Sequence, residues 1–344
     1  MQATTDRGPG APGRPLIIAH RGASGYRPEH TASAYRLAIA QGADAVEPDV
    51  VATRDGVLVV RHENEISATT NVADHPEFAS RRTTKMVDGE RLTGWFTEDF
   101  TWDELRTLRC RERLPALRPE NTAWDDREPM LRLRDLLELL DEEAAARGRE
   151  VRAIIELKHA HAFDTLGHDL AALLLADLAE SGWGDRGDRV VVESFELGVL
   201  DRLREAGSGA QLVFLMETEG SPADEVAQFG DASRTWAWYR SRDGLASLVG
   251  RVHGVSLAKA DVLPAAAGGR EPDGVDVVAA AHAHGLAVYT WTLRPENAYL
   301  GRPFRGSGGR GDHGDWRAEW RAVVARGVDG VFVDHPVLAA DLLD

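Results

Sequence analysis

Eight short β-branched runs, each followed by a longer stretch of helical periodicity, constrain this chain more than any other feature. The runs are PLIIAH (15–20), ADAVEPDV (43–50), VRAIIELK (151–158), DRVVVES (188–194), AQLVFLM (210–216), VHGVSL (252–257), LAVYTWTL (286–293) and VDGVFVD (328–334). Apolar residues recur at helical spacing over 31–42, 131–148, 166–182, 195–207, 221–230, 276–285, 316–327 and 336–344. Several of these segments stop at a glycine just before the next strand, the expected helix terminator. Strand and helix alternating through short links predict a parallel sheet, and eight repeats predict its closure into a (β/α)8 TIM barrel. An open doubly wound sheet is the alternative, but no G-x-G-x-x-G fingerprint opens the first helix.

Two segments break the rhythm. Residues 63–130 are polar and tryptophan-bearing and follow strand two, where a barrel carries one loop; they read as an insertion with a short hairpin and a helix around TWDELRTL (101–108), capping the active face. Residues 294–315, after strand seven, read as a mobile Gly-rich loop. The opening MQATTDRGPGAPGRP lacks the apolar core of a secretory signal, so residues 1–14 read as a disordered leader and 15–344 as one barrel domain. Cys110 is the only cysteine and no apolar stretch is long enough to span a bilayer, which points to a cytoplasmic protein. A formal net charge of −16 argues against nucleic acid and against stable association with an anionic membrane.

Chemistry concentrates at strand ends. In a barrel the carboxyl-terminal ends of all strands face one mouth, so polar residues there converge although they are far apart in sequence. IIAHRGASGYRPEHT (17–31) supplies His20 and Arg21, with Glu29 and His30 close behind. The second strand supplies Glu47 and Asp49, whose spacing of two places both on one side. VLVVRHEN (57–64) ends in His62 and Glu63, and AIIELK supplies Glu156 and Lys158. An inward carboxylate flanked by such apolar text costs several kcal/mol unless it is paired or metal-bound. Three together must raise one another's pKa or recruit a divalent cation, and oxygen-only donors favour Ca²⁺ or Mg²⁺ over zinc. Arg21 and Lys158 add the fixed positive charge that a phosphoryl group needs, and two histidines complete an acid/base pair. Phosphodiester cleavage is the reaction class these residues imply.

AHRGASGYRPEHT, GADAVEPDV, VVRHENEI, IIELK, VYTWTL and VDGVFVDHP, in this order from residue 19 to residue 336, resemble the glycerophosphodiester phosphodiesterase family. The long segment after strand two resembles that of its bacterial members. The resemblance implies a barrel enzyme that releases glycerol 3-phosphate and an alcohol from small glycerophosphodiesters such as glycerophosphocholine or glycerophosphoethanolamine. It implies His20 and His62 as general acid and base, Arg21 and Lys158 as phosphate contacts, Glu47, Asp49 and Glu156 as metal ligands, and Trp291 as a wall of the substrate pocket. Two departures stand out: His30 where many members carry Asn, and Glu63 where Asp is frequent. With Glu29 these residues are expected just outside the reacting groups. A related barrel enzyme of the sphingomyelinase or phospholipase D kind, acting on lysophospholipids, is the nearest rival, but it calls for apolar loop tips and usually a disulfide-tied loop. A non-catalytic phosphodiester-binding barrel would be expected to have lost a histidine or a metal carboxylate, and all are present.

Overall fold

The computed structural model describes residues 13–269 and 275–343; residues 1–12 of the expected leader, and Asp344, lie outside the described part. Leu16–His20 forms β1, Ala45–Glu47 β2, Asp49–Ala52 β3, Leu58–Val60 β4, Thr83–Val87 β5 and Glu90–Gly94 β6. Arg152–Leu157 forms β7, Val190–Ser194 β8, Gln211–Met216 β9, Gly254–Ala258 β10, Ala287–Leu293 β11 and Gly330–Val333 β12. Parallel pairing runs β1 to β12 and back through β11, β10, β9 and β8 to β7, and β7 closes the ring by pairing with both β2 and β3. The barrel therefore has eight staves, and all eight predicted strands contribute to it.

The second stave differs in detail from its prediction as one strand over 43–50. Pro48, which has no N–H to donate, divides it into β2 and β3. The carbonyl of Pro48 still accepts from Glu156 N at 2.9 Å, so the stave continues across the break. Beyond it, β3 folds back antiparallel onto β4, with Val50 opposite Val60. This hairpin carries the chain from Asp49 to His62 without leaving the active end of the barrel.

Ile18, Ala45, Ile154, Val191, Val213 and Phe332 fill the inside of the barrel, while a larger apolar layer packs the helices against its outside. Thr31, Asp169, Asp276 and Asp315 cap four of these helices by accepting backbone N–H bonds. After β9 the sequence predicts one helix, and the structure has three: Ala223–Phe229, Trp236–Tyr239 and Arg242–Leu248. The last buries Leu245 and Leu248 against the core, and a Cβ at Gly244 would fall 2.1 Å from the Trp238 carbonyl oxygen. Between β4 and the helix Leu133–Arg147, the inserted residues form the antiparallel hairpin β5–β6, a helical turn at Trp102–Leu105 and 3-10 turns at Val72–Asp74, Pro76–Arg81, Thr97–Asp99 and Pro119–Trp124, joined by irregular chain. Among the described residues no helix is long and apolar enough to cross a membrane.

Candidate active site

Inward-facing residues alternate along each stave, so the ends of β1, β2, β3 and β7 deliver His20, Glu47, Asp49, Glu156 and Lys158 to one mouth. One oxygen each from Glu47, Asp49 and Glu156 lies within 4.8 Å of the others, and all three residues are buried. Lys158 Nζ stands 2.7 Å from Glu156 Oε1 and 3.2 Å from Asp49 Oδ1. It lies off the line of a hydrogen bond to either, so both oxygens keep unsatisfied lone pairs. Burial and then the Asp49 charge push Glu47 well above the usual carboxylate range. Burial likewise raises Glu156, to about 8, against the pull of Lys158. For Asp49 burial is outweighed by Lys158, His62 and Arg21, which hold it well below its ordinary value. A trio in which two members resist ionisation and two oxygens lack donors fits a hard divalent cation.

The loop after β1 is tied tightly to this cluster. Arg21 N donates to Glu47 Oε2 at 2.8 Å, and its guanidinium reaches Glu29 at 3.1 Å and Asp49 at 3.2 Å. His30 is fully buried, with Nε2 2.9 Å from Asp49 Oδ2 and Nδ1 2.7 Å from the Tyr35 hydroxyl. Arg21 and His30 both have φ of +59°, a left-handed conformation that non-glycine residues seldom adopt. The His30 amide closes the loop on the Arg21 carbonyl at 3.1 Å.

His20 and His62 each keep a carboxylate on Nδ1. Asp334, at the end of β12, lies 2.7 Å from His20 Nδ1. Glu63 lies 2.5 Å from His62 Nδ1. Such a partner fixes the tautomer and leaves Nε2 as the exchanging nitrogen. Burial, helped by the Arg21 charge, lowers His20 to about 4. Burial, followed by Arg21 and Lys158, lowers His62 to about 3. Both imidazoles are therefore neutral at physiological pH in the chain alone. Trp291, on β11, meets Phe195 edge-on at 5.7 Å, and Lys158 Nζ stands 5.5 Å over the same Phe195 ring.

Several contributors were not singled out from the sequence. Asp334 sits in VDGVFVDHP and ends a strand, the same signal that marks His20 and Glu156. Glu193, on β8 directly opposite Glu156, is a fourth buried carboxyl, pushed well above its usual range by burial and by Glu156. Arg113 and Arg118 come from the irregular insertion and had no signal. Arg113 donates to both oxygens of Glu29, at 2.7 and 2.6 Å, and to both of Glu63, at 2.7 and 2.5 Å. Glu29 and Glu63 thus sit on Arg113, beside the three-carboxylate cluster and outside it. Arg118 joins Asp334 at 2.6 Å to Glu296 at 2.7 Å, and Arg294 also reaches Asp334 at 2.6 Å. The Gly-rich segment after β11 supplies Arg294 and Glu296, and is knitted internally by Asn297 bonding Gly306 and Gly309.

The profile of the glycerophosphoryl diester phosphodiesterase family matches residues 20–338. Glycerophosphodiester phosphodiesterase GDPD6 of Arabidopsis thaliana is 30% identical over 332 residues, covering 93% of this chain and 84% of that protein. The crystal structure of a Silicibacter pomeroyi protein described as a glycerophosphoryl diester phosphodiesterase superposes with a TM-score of 0.67 at 24% identity, over 97% of this chain and 95% of that one. An Oleispira antarctica phosphodiesterase, solved with the product sn-glycerol-3-phosphate, gives 0.58 at 18% identity over 96% and 97%. At these identities the two structures speak for the fold, whereas the profile and the plant relative speak for descent. The barrel with His20, His62 and three buried carboxylates at its carboxyl-terminal mouth belongs to the glycerophosphoryl diester phosphodiesterase family of phosphodiester hydrolases.

Proposed function

We propose that the chain hydrolyses small glycerophosphodiesters, such as glycerophosphocholine and glycerophosphoethanolamine, to glycerol 3-phosphate and the free alcohol. The observation that carries this reading is the pair of neutral histidines, each with a carboxylate on Nδ1, beside a carboxylate trio and two cations. Cleaving a phosphodiester takes a proton from the attacking oxygen and gives one to the leaving alkoxide. His20 and His62 take these two roles through Nε2. Arg21 and Lys158 neutralise charge on the phosphoryl oxygens, where ordered donors count most. Glu47, Asp49 and Glu156 hold a divalent cation, Ca²⁺ or Mg²⁺, which when bound adds positive charge at the phosphoryl oxygens. Trp291 walls the space beside the substrate, and Glu29, His30 and Glu63 support Arg21, Asp49 and His62. Residues 15–344 act as one catalytic domain, with residues 63–130 as its cap. The acidic chain fits a water-soluble substrate better than nucleic acid or membrane, and the single buried Cys110 fits a cytoplasmic setting.

The test is release of glycerol 3-phosphate from both substrates in a coupled assay, after EDTA and after Ca²⁺ or Mg²⁺ is restored. Metal-restored release is expected, with His20→Ala and His62→Ala each losing on the order of 10²–10⁴ in kcat. No release under any metal would turn the assignment toward lysophospholipids or another diester.

A further inference from the structure

A cavity of about 1290 Å³ lies at the opposite end of the barrel from the carboxylate trio. Leu16, Arg152, Gln211 and Ala287, the first residues of their strands, stand at its wall. Ile18, Ile154, Val191, Val213 and Phe332 fill the barrel between the two mouths, so this space is separate from the active one. Its floor includes Tyr289, whose side chain is only 6% exposed and whose hydroxyl makes no hydrogen bond among the described residues. Room for that ring is built in: a Cβ on Gly330 would fall 2.7 Å from Tyr289 Cδ1 and 2.9 Å from Ile18 Cδ1.

Charge at this mouth runs against the molecule as a whole, whose formal net charge is −16. Arg152, on the barrel wall, and Arg321, on the helix Trp316–Val324, line the cavity, and neither guanidinium has an ion pair or hydrogen bond among the described residues. Two of the carboxylates present are already engaged. Asp44 is held by Arg14 at 2.7 Å and by Ile17 N at 2.9 Å, and Asp329 by His282 at 2.9 Å and Val288 N at 2.7 Å. Asp188 remains, on the exposed rim. A half-buried guanidinium without a carboxylate and a tyrosine hydroxyl that opens on the cavity without an acceptor present donors in search of an oxyanion.

We propose that the amino-terminal mouth of the barrel is a second binding site, for a phosphate dianion, with Arg152 and Tyr289 as its principal donors and Arg321 contributing charge from the wall. The chemistry is that of a phosphomonoester or of inorganic phosphate; a diester, with a single negative charge, fits less well.

The experiment is calorimetric titration of the full chain with inorganic phosphate, and separately with sn-glycerol 3-phosphate, at fixed ionic strength in EDTA. Arg152→Gln is expected to lose about ten-fold in affinity at one of two sites, and Tyr289→Phe several-fold at the same site. Both variants should keep the wild-type melting temperature within a few degrees and the wild-type rate on glycerophosphocholine. Tighter binding of the organic ligand or of the inorganic one identifies which phosphate source the site takes. Identical isotherms for wild type and Arg152→Gln overturn the proposal. So does loss of all phosphate binding in Arg21→Gln, which would put every bound anion at the active mouth. Should the chain hydrolyse no diester at all, the Arg152→Gln isotherm decides the matter on its own, because binding here needs no turnover.

Discussion

Asp334 governs how His20 presents itself. Buried beneath Arg118 and Arg294, it stays ionised well below its ordinary pKa although burial alone would raise it, and it holds a proton on His20 Nδ1. Asp334→Asn keeps the shape but removes the charge that stabilises a protonated imidazole. Its kcat is therefore expected to fall on the order of 10²-fold or more, with KM changed little. A kcat within two-fold of wild type would detach Asp334 from the chemistry. Glu47→Gln acts elsewhere: one charge is removed from the trio, so the metal concentration for half-maximal rate should rise about ten-fold while the rate at saturating metal largely recovers. Unchanged metal dependence would exclude Glu47 as a ligand. Both residues end barrel strands, and that rule made His20, Glu47, Asp49, Glu156 and Lys158 legible from the sequence. Asp334 obeys the same rule, and was overlooked because a lone Asp before His-Pro reads equally well as a turn.

The inserted segment behaves differently from the barrel. Strands and helices of the barrel announce themselves by a period of two or 3.6 residues. Residues 111–118 have no period, and their place is set by side-chain bonds to partners far away in sequence. Arg113 meets Glu29 and Glu63 at separations of 84 and 50 positions, and nothing in a single sequence marks such a bridge. Its consequence can be measured. Arg113 holds both oxygens of Glu63, including the Oε1 that meets His62, so Arg113→Ala leaves two neighbouring carboxylates without their shared cation and frees Glu63 to turn from the imidazole. A loss of about ten-fold or more in kcat is expected with the circular dichroism spectrum unchanged. Arg113→Lys should recover only part of it, because an ammonium cannot fork to two carboxylates as a guanidinium does. Wild-type kcat in Arg113→Ala would reduce the segment to a passive cover. The small space of about 20 Å³ next to His20 is walled by Glu112, Arg113, Leu114 and Arg118. It holds one water at most.

At the scale of the whole molecule, three histidines held neutral in the fold, His20 and His335 buried and His62 half-buried, make folding sensitive to acid. His20 and His335 are lowered to about 4, and His62 to about 3, in each case first by burial. In the unfolded chain each returns to about 6.5. The unfolded state therefore binds more protons below that pH, and stability falls as pH drops from about 6.5 toward 4. Glu196 works in the other direction. Raised to about 8 by burial and by Asp88, it favours the fold at low pH and loses that contribution as pH rises through 8. His335 isolates the acid limb best, because it lies behind the reacting groups. Its ring packs edge-on against Tyr26 at 4.9 Å and His313 at 5.6 Å, its Nδ1 has no partner, and Arg118 adds a positive charge that Glu296 and Asp334 only partly offset. With a folded pKa near 4 and an unfolded one near 6.5, His335 alone removes about 2 kcal/mol between pH 7 and pH 5. Urea unfolding of wild type and His335→Gln at those two pH values, in EDTA and at constant ionic strength, reads this difference directly. The variant is less stable at pH 7 for lack of packing, yet it should lose about 2 kcal/mol less than wild type on going to pH 5. Equal losses in the two proteins would mean that the His335 ring titrates in the fold as it does in water, and that the acid sensitivity resides wholly at the active mouth.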